Sequence, residues 1–307
     1  MQTDFLGRMA LSQRWAGPLA KRLQPLIERA VAPPIVRNTL DGVWLGAPLH
    51  PALTDVPVGS WTAALLLDGA AALTGEDAVA GAADRALAVG TLAALPTAAT
   101  GLNDLRVLTG QSRQVAMVHA VLNVVGLSLS SASLAYRRAG RRGVARGLSA
   151  AGYLISSSAA HLGGQLSYGL GIRVNRTVGQ TVSESFVAVL DADTLSGEEV
   201  RKVELEGVPV LVARSQSGQV CALAHICTHL GGPLSEGSRD GDTITCPWHG
   251  SRFDLCTGAV LEGPAVFAQP RLSARVRDGK IEVGLPDALG AELPEVATFA
   301  RSAPSHR

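Results

Sequence analysis

Cys227-Thr228-His229-Leu230-Gly231-Gly232-Pro233-Leu234 and Cys246-Pro247-Trp248-His249-Gly250-Ser251-Arg252-Phe253-Asp254 decide how the last third of this chain is read. The C-x-H and C-x-x-H pairs, with sixteen residues between them, supply two thiolates and two imidazoles from two short loops. Each half joins one Cys with one His, which is not the usual arrangement of a structural zinc finger. Two Cys on one iron and two His on the other form the donor set of a [2Fe–2S] centre, whose neutral imidazoles raise its potential above that of an all-Cys cluster. A zinc ribbon is the competing reading of the same four residues. Gly231-Gly232 and Gly250 allow tight turns around a buried inorganic core. Around these loops the sequence alternates short β-branched runs, such as Val208-Pro209-Val210-Leu211-Val212, with turns such as Ser217-Gly218 and Asp278-Gly279. That pattern predicts an antiparallel all-β domain.

The two loop sequences resemble the Rieske ferredoxin family, and so does Thr257-Gly258…Gly263-Pro264-Ala265. The resemblance covers about residues 183–285. It implies a [2Fe–2S] cluster on Cys227, His229, Cys246 and His249, one-electron transfer, and His229 and His249 as the exposed edge. Rieske proteins that oxidise quinols usually carry a disulfide between the two cluster loops. Its positions fall on Gly232 and Trp248 here, so that bridge cannot form. Those proteins also place Ser and Tyr hydroxyls near cluster sulfur. This chain keeps Ser251 but has Phe253 at the Tyr place. Hydrogen bonds to sulfur raise the potential, so the loss of one predicts the lower half of the Rieske range of roughly −150 to +300 mV. Cys221 and His225 are read as strand residues beside the cluster, and Cys256 as a small buried hydrophobe. Rieske oxygenases add a catalytic iron held by two His and a carboxylate. After His249 the sequence has only His306, in a tail rich in Ala, Pro and Ser, so an oxygenase catalytic subunit is not expected.

The rest of the chain has another character. The net charge of +1 over 307 residues gives no support to nucleic-acid binding. Residues 86–103, 114–136 and 147–172 carry no Asp, Glu, Lys or Arg, and 56–75 hold only Asp68. Each run approaches the roughly 20 residues that cross a bilayer as a helix. The expectation is a multidomain protein: an all-α four-helix transmembrane bundle followed by the all-β domain. Its parts are an amphipathic segment at 1–44, a four-helix domain at 45–176, a linker at 177–182, the β domain at 183–285 and a flexible tail at 286–307. The helices are placed at about 56–75, 85–104, 115–136 and 147–168. Ser130-Ser131-Ala132-Ser133 and Ser156-Ser157-Ser158-Ala159-Ala160 are small enough for close helix approach in lipid. Upstream, Leu19, Leu23, Leu26, Ile27 and Val31 share one face of a helix that either lies on the membrane or packs on a soluble domain.

Three histidines belong to the membrane half. His119 and His161 lie 22 and 20 residues from the Arg141-Arg142 loop, so their depths differ by only about 3–5 Å at 1.5 Å per residue. His50, Asp55 and Asp104 fall near the same level. Ionisable residues in a membrane segment default to a functional hypothesis. The readings are haem b ligation by His119 and His161, a quinone pocket, one metal held by the three His with Asp55, or hydrogen bonding that only seats the helix ends. Asp68, at the other end of its helix, is expected to pair with Arg85. His50-Pro51…Asp55-Val56-Pro57, Gly101-Leu102-Asn103-Asp104 and His161-Leu162-Gly163-Gly164 resemble an uncharacterised bacterial four-helix membrane domain over about residues 45–176. That resemblance implies an architecture and no mechanism. The expected function is a membrane-anchored, ferredoxin-like electron carrier working with redox partner proteins or a quinone. The alternative is a quinol-oxidising or haem-linked oxidoreductase subunit. The cluster domain is expected on the cytoplasmic face of the cell membrane, although the Arg-rich loop argues for the other side.

Overall fold

The computed structural model describes residues 4–180 and 185–284. The chain divides into two units, Met1–Ile172 and Arg173–Arg307. The expected tail at 286–307, with His306, lies outside the described residues, as do residues 181 and 182 of the expected linker.

The first unit is all helix: α1 (Phe5–Ser12), α2 (Ala16–Ala30), α3 (Pro34–Asp41), α4 (Leu49–Thr74), α5 (Asp77–Leu105), α6 (Gly110–Arg138) and α7 (Arg142–Gly164). Local chemistry marks the ends. Pro48 precedes α4, where its missing N–H is no loss, and Gly75 closes α4 in the left-handed region with its N–H on the Ala71 carbonyl. Arg137 and Arg138 sit in the last turn of α6, where cations suit the helix dipole. Helices α4 to α7 form the bundle. α4 packs on α5 and α7, and α6 packs on α5 and α7, so α4 and α6 face each other across the diagonal.

The interior of this bundle is small and polar, while its outer surface is apolar. Leu66, Leu73, Val89, Leu92, Leu95, Val124 and Leu154 point outward. A β-carbon on Gly126 would lie 2.1 Å from Ser156 Oγ, and one on Gly152 would lie 3.0 Å from the Gly126 carbonyl. Gly126 and Gly152 therefore set the α6–α7 crossing, as small residues do where no hydrophobic effect drives helices together. Trp61 lies over Gly90 in the same way. Three helices, α4, α5 and α6, are long and apolar enough to cross a membrane; α7 is not. This corrects the expectation of four equivalent spans. The first turns of α7 carry Arg142 and Arg146, and its inner face is Gly, Ser and Ala. Still, α7 is about 35 Å long at 1.5 Å per residue and returns the chain to the end where α4 began.

The amphipathic segment holds the expected helix as α2, flanked by the shorter α1 and α3. Ala16 and Ala20 of α2 are fully buried, with Leu23 and Ile27 packed against Leu105, Leu108 and Val115. Leu19 and Leu26 are exposed. Small alanines had been invisible as a packing face beside the larger leucines. α3 is tied down by Arg106, which donates to both carboxylate oxygens of Asp41 at 3.1 and 2.7 Å, joined by Asn103 Nδ2 at 2.9 Å.

At the far end of the bundle, Asp68 pairs with Arg137, not with Arg85, which is exposed. Arg137 also donates to Asp84 at 2.6 Å, and Arg142 donates to the same carboxylate at 2.9 Å. Arg137 stands at the end of α6 and reaches inward between α4 and α5, a position that helical spacing on α4 alone does not reveal.

The second unit is built of two antiparallel sheets. Strands β1 (Val187–Asp191), β2 (Val200–Leu205), β3 (Val208–Arg214), β4 (Val220–Ala224), β9 (Arg271–Arg277) and β10 (Lys280–Gly284) form a six-stranded sheet in the order β1-β10-β9-β4-β3-β2. Strands β5 (Ser238–Asp240), β6 (Thr243–Thr245), β7 (Arg252–Asp254) and β8 (Val260–Glu262) form the smaller sheet. Asp278 and Gly279 both take positive φ between β9 and β10, the requirement of a two-residue hairpin turn. One core packs Val210, Val212, Ala222 and Ile281; a second packs Leu211, Leu234, Ile244, Phe253 and Leu255 around Cys227 and Cys246.

Candidate metal centre

The first cluster loop follows β4, and the second joins β6 to β7. Each closes on itself. In the first, the Cys227 N–H donates to the Gly232 carbonyl at 2.8 Å and Gly231 N–H returns to the Cys227 carbonyl at 2.9 Å. In the second, Cys246 N–H donates to Ser251 O at 2.8 Å and Gly250 N–H to Cys246 O at 3.1 Å. Gly231 and Gly250 have φ of +85° and +75°, which only glycine adopts cheaply.

These closures bring the four donors together. Cys227 and Cys246 are buried, unbridged thiols in hydrogen-bond contact. The imidazoles of His229 and His249 stand edge to face with centroids 5.1 Å apart. The sulfurs also receive main-chain N–H groups: His229 and Leu230 direct theirs to Cys227, Trp248 and His249 to Cys246. The Cys227 thiol and those amides lower the Cys246 thiol to about 6 against the effect of burial. Cys227 is pushed up by its neighbour Cys246 and by burial. A charged metal core turns both into thiolates. A β-carbon on Gly232 would lie 2.8 Å from Cys246 Sγ and 3.1 Å from the Trp248 ring, so the position must be glycine. Two adjacent sulfurs, two adjacent imidazoles and inward N–H groups fit a [2Fe–2S] core and its acid-labile sulfides.

The surrounding groups hold that cradle. Ser251 is fully buried, and its Oγ accepts from the Ala265 N–H at 2.9 Å. Its own proton remains to be donated, consistent with the tuning role expected of it. Phe253 is fully buried in the core with no polar atom to offer. Gln269 was missed from sequence. This buried amide donates to Ala224 O at 2.7 Å and to Ile226 O, and it accepts from Thr228 N–H at 3.2 Å. Thr228 Oγ1 donates to Phe267 O at 2.9 Å, and Arg173 donates to Pro264 O at 2.7 Å. The only available signal was one polar residue before Pro270 in an apolar stretch.

Two readings need correction here. His229 is 5% exposed and so is not an open edge; His249 and the neighbouring Trp248 are the accessible side. Cys256 is not a lone hydrophobe but is joined to Cys221 of β4 by a disulfide with a Cα separation of 4.9 Å. Two cysteines outside the donor set were the clue, because an even remainder permits a bridge. His225 is buried beside the first loop, its N–H on Pro209 O at 3.0 Å.

In the helical unit the three histidines part company. His50 and His119 approach with centroids 6.2 Å apart. His161 instead faces the exposed Asp4 carboxylate at the cap of α1, with Gln165 alongside. His119 is thus the neighbour of His50 and not of His161. The expectation counted depth along each helix but not the direction of the side chain around it. Asp55 is exposed and Asp104 half-buried. Among the described residues no three His, Cys, Asp or Glu gather in a form that holds a single metal ion, so the three-His site with Asp55 is not built.

Residues 185–273 match the family of the Rieske [2Fe-2S] domain. The ferredoxin CarAc of Metapseudomonas resinovorans is 30% identical over 102 residues, which cover 33% of this chain and 95% of that one. The chain belongs to the Rieske [2Fe-2S] family. The Rieske domain is also similar to the ferredoxin component of the naphthalene 1,2-dioxygenase system of Pseudomonas putida, 38% identical over 77 residues covering 25% of this chain and 72% of that one. A solved structure, the ferredoxin of carbazole 1,9a-dioxygenase from Nocardioides aromaticivorans IC177, is 28% identical and covers 33% of this chain and 99% of its own, with a TM-score of 0.32. Ahead of the Rieske domain, residues 46–176 match the family described as "Predicted membrane protein (DUF2231)". The chain is a Rieske domain fused to a membrane domain.

Proposed function

We propose that this protein is a membrane-anchored carrier of single electrons, with Cys227 and Cys246 on one iron of its cluster and His229 and His249 on the other. The observation that carries the reading is the convergence of two thiols and two imidazoles in a domain whose relatives are ferredoxins. The chain's own residues hold the loops, direct N–H groups at the sulfurs and limit access to the His249 and Trp248 side. When bound, the cluster supplies a one-electron couple. The partner is a redox protein that docks at that side.

The membrane unit adds a second reading, a quinol- or haem-linked oxidoreductase subunit, favoured by the His50–His119 pair alone. Two observations bear on the side of the membrane. The disulfide Cys221–Cys256 suits an oxidising compartment. Arg138, Arg141, Arg142 and Arg146 cluster where α6 turns into α7, which by the positive-inside rule favours the cytoplasm for that end, while Arg37, Arg106, Arg113, Arg173 and Arg176 lie near the opposite one. The disulfide adds to the argument of the Arg-rich loop, and together they favour an outside cluster domain over the cytoplasmic expectation.

The test is an EPR spectrum of the full chain purified from membranes and reduced with dithionite. An EPR signal of the reduced cluster is expected, as its mixed His and Cys ligation implies, with two irons and two sulfides per chain. His229→Ala and His249→Ala lose it. A colourless protein holding zinc would sink the reading.

A further inference from the structure

His50 stands in the first turn of α4 and His119 in the third turn of α6, on helices that oppose each other diagonally. Facing helices in a bundle are where metal sites are built. Both imidazoles are fixed in the same way. His50 Nδ1–H donates to the Thr97 carbonyl at 2.9 Å, and His119 Nδ1–H donates to the Ala159 carbonyl at 2.7 Å. A carbonyl only accepts, so each Nδ1 carries the proton and each Nε2 presents a lone pair. Metal-ligating histidines are held in this way: the far nitrogen is fixed on a main-chain carbonyl, which sets tautomer and ring orientation. Asn123 Nδ2 donates to His119 Nε2 at 3.1 Å, which agrees with a lone pair there. No hydrogen bond reaches His50 Nε2 among the described residues.

The surroundings are shaped to these rings. A β-carbon on Gly101 would lie 2.8 Å from His50 Cε1, and one on Gly163 would lie 3.2 Å from His119 Cε1. A residue larger than glycine at 101 forces the His50 ring to shift, and one at 163 presses on the His119 ring. The rings are nearly perpendicular, with centroids 6.2 Å apart. Two imidazoles bound to opposite sides of one metal at roughly 2.0–2.1 Å per nitrogen bring their centroids to about 6 Å. Here two imidazoles meet, each with Nδ1 on a main-chain carbonyl; the His119 Nε2 lone pair accepts from Asn123, which a metal would displace.

We propose that His50 and His119 are a bis-imidazole ligand pair for a transition metal in the core of the membrane bundle. No third His, Cys, Asp or Glu joins the group among the described residues, so the centre needs only two protein ligands. Haem iron meets that condition, because the macrocycle supplies the other nitrogens and the protein the axial ligands. A bare ion of a metal that imidazole suits, such as copper, meets it with Asn123 or water completing the shell. The shared chemistry is two neutral imidazoles on one metal. The site stands independently of the cluster, which is read separately in the same sample.

The experiment uses the full chain expressed with added iron, copper, zinc and 5-aminolevulinate and purified in detergent. Metal content, pyridine haemochrome and cluster EPR are measured together. The expected result is close to one metal per chain beyond the two cluster irons. That metal falls at least tenfold in His50→Gln and in His119→Gln and stays in His161→Gln, while the cluster signal persists in all three. A Soret band that falls with it identifies haem; loss of metal without a Soret band identifies a bare ion. Gly101→Ala, which presses on the ring without removing a ligand, is expected to lower occupancy or shift the spectrum. Wild-type protein with only its two cluster irons and no haem overturns the proposal. So does extra metal that survives both His50 and His119 substitutions. Loss of the cluster signal in the wild type would instead count against the electron-carrier reading.

Discussion

Phe253 decides more of this cluster's chemistry than its size suggests. Its ring fills the core beside Cys227 and Cys246, at the position where the loop resemblance puts a Tyr in quinol-oxidising proteins. Phe253→Tyr adds one donor. A hydrogen bond worth about 1 ± 0.5 kcal/mol in favour of the reduced state raises the midpoint by about 20–60 mV, at 59 mV per tenfold for one electron. A redox titration followed by EPR measures it; an unchanged or lower midpoint would show that the hydroxyl finds another partner. Asp254, next along β7, holds the following turn. It accepts from Cys256 N–H at 3.0 Å, Thr257 N–H at 2.7 Å and Thr257 Oγ1 at 2.7 Å. Burial alone would raise its pKa, but these three donors hold the carboxyl below its usual value. The sign follows: its stabilisation is present above the unfolded value near 3.9 and lost as pH falls through the lower native value. The thermal midpoint of cluster loss should therefore separate wild type from Asp254→Asn at pH 7, and the gap should close on acidification below about pH 4. A gap that is the same at every pH would contradict this account. At this scale the four candidate donors could be read from their spacing, and Ser251 and Phe253 from the resemblance of the second loop. The sequence hid Gln269 and the Cys221–Cys256 pairing, because a lone polar residue and two cysteines 35 residues apart have no local signature.

Among the elements, the membrane helices follow a division that periodicity alone does not give. Apolar residues lie outside and small or polar residues inside, so a search for a conventional amphipathic core finds little. The buried ion pair of Asp68 on α4 with Arg137 on α6 shows what this arrangement needs. Each charge is shielded from water and answered by the other, with Ser149 and Asp84 close by. Removing Asp68 leaves Arg137 with Asp84 alone, so the loss stays below the about 3–5 kcal/mol of a buried charge left without any partner. Asp68→Ala should lower the thermal midpoint of the detergent-solubilised protein far more than Arg85→Ala, since Arg85 is exposed. Equal effects would mean that the pair contributes little. The amphipathic segment was legible as helix but not in its packing: the alanines of α2 meet α5 and α6 only after those helices have folded.

For the molecule as a whole, the fusion of a membrane domain and a cluster domain links electron transfer to a surface. The disulfide and the arginines at the α6–α7 turn make one joint prediction about sidedness. In intact cells, a membrane-impermeant thiol reagent should label a cysteine placed at exposed Glu206 in the cluster domain, and miss one placed at exposed Gly140 in the α6–α7 turn. Labelling in the reverse pattern would return the cluster to the cytoplasm. Cys221 and Cys256 should stay unlabelled until reduction.

The sequence by itself determined the two-part architecture, the cluster donors and the apolar helices, because these rest on composition, spacing and short loops. Local chemistry suffices for them: a Cys and a His two or three residues apart must share a loop, and a long run without charge must leave water. Which histidines meet, which arginine answers Asp68, how buried His229 is and which cysteines bridge were decided only by tertiary structure. Each depends on the rotation of a helix about its axis or on the register between distant strands. A shift of one residue turns a helical side chain by about 100°. That is why equal depth selected His119 and His161, while the fold brought His119 to His50.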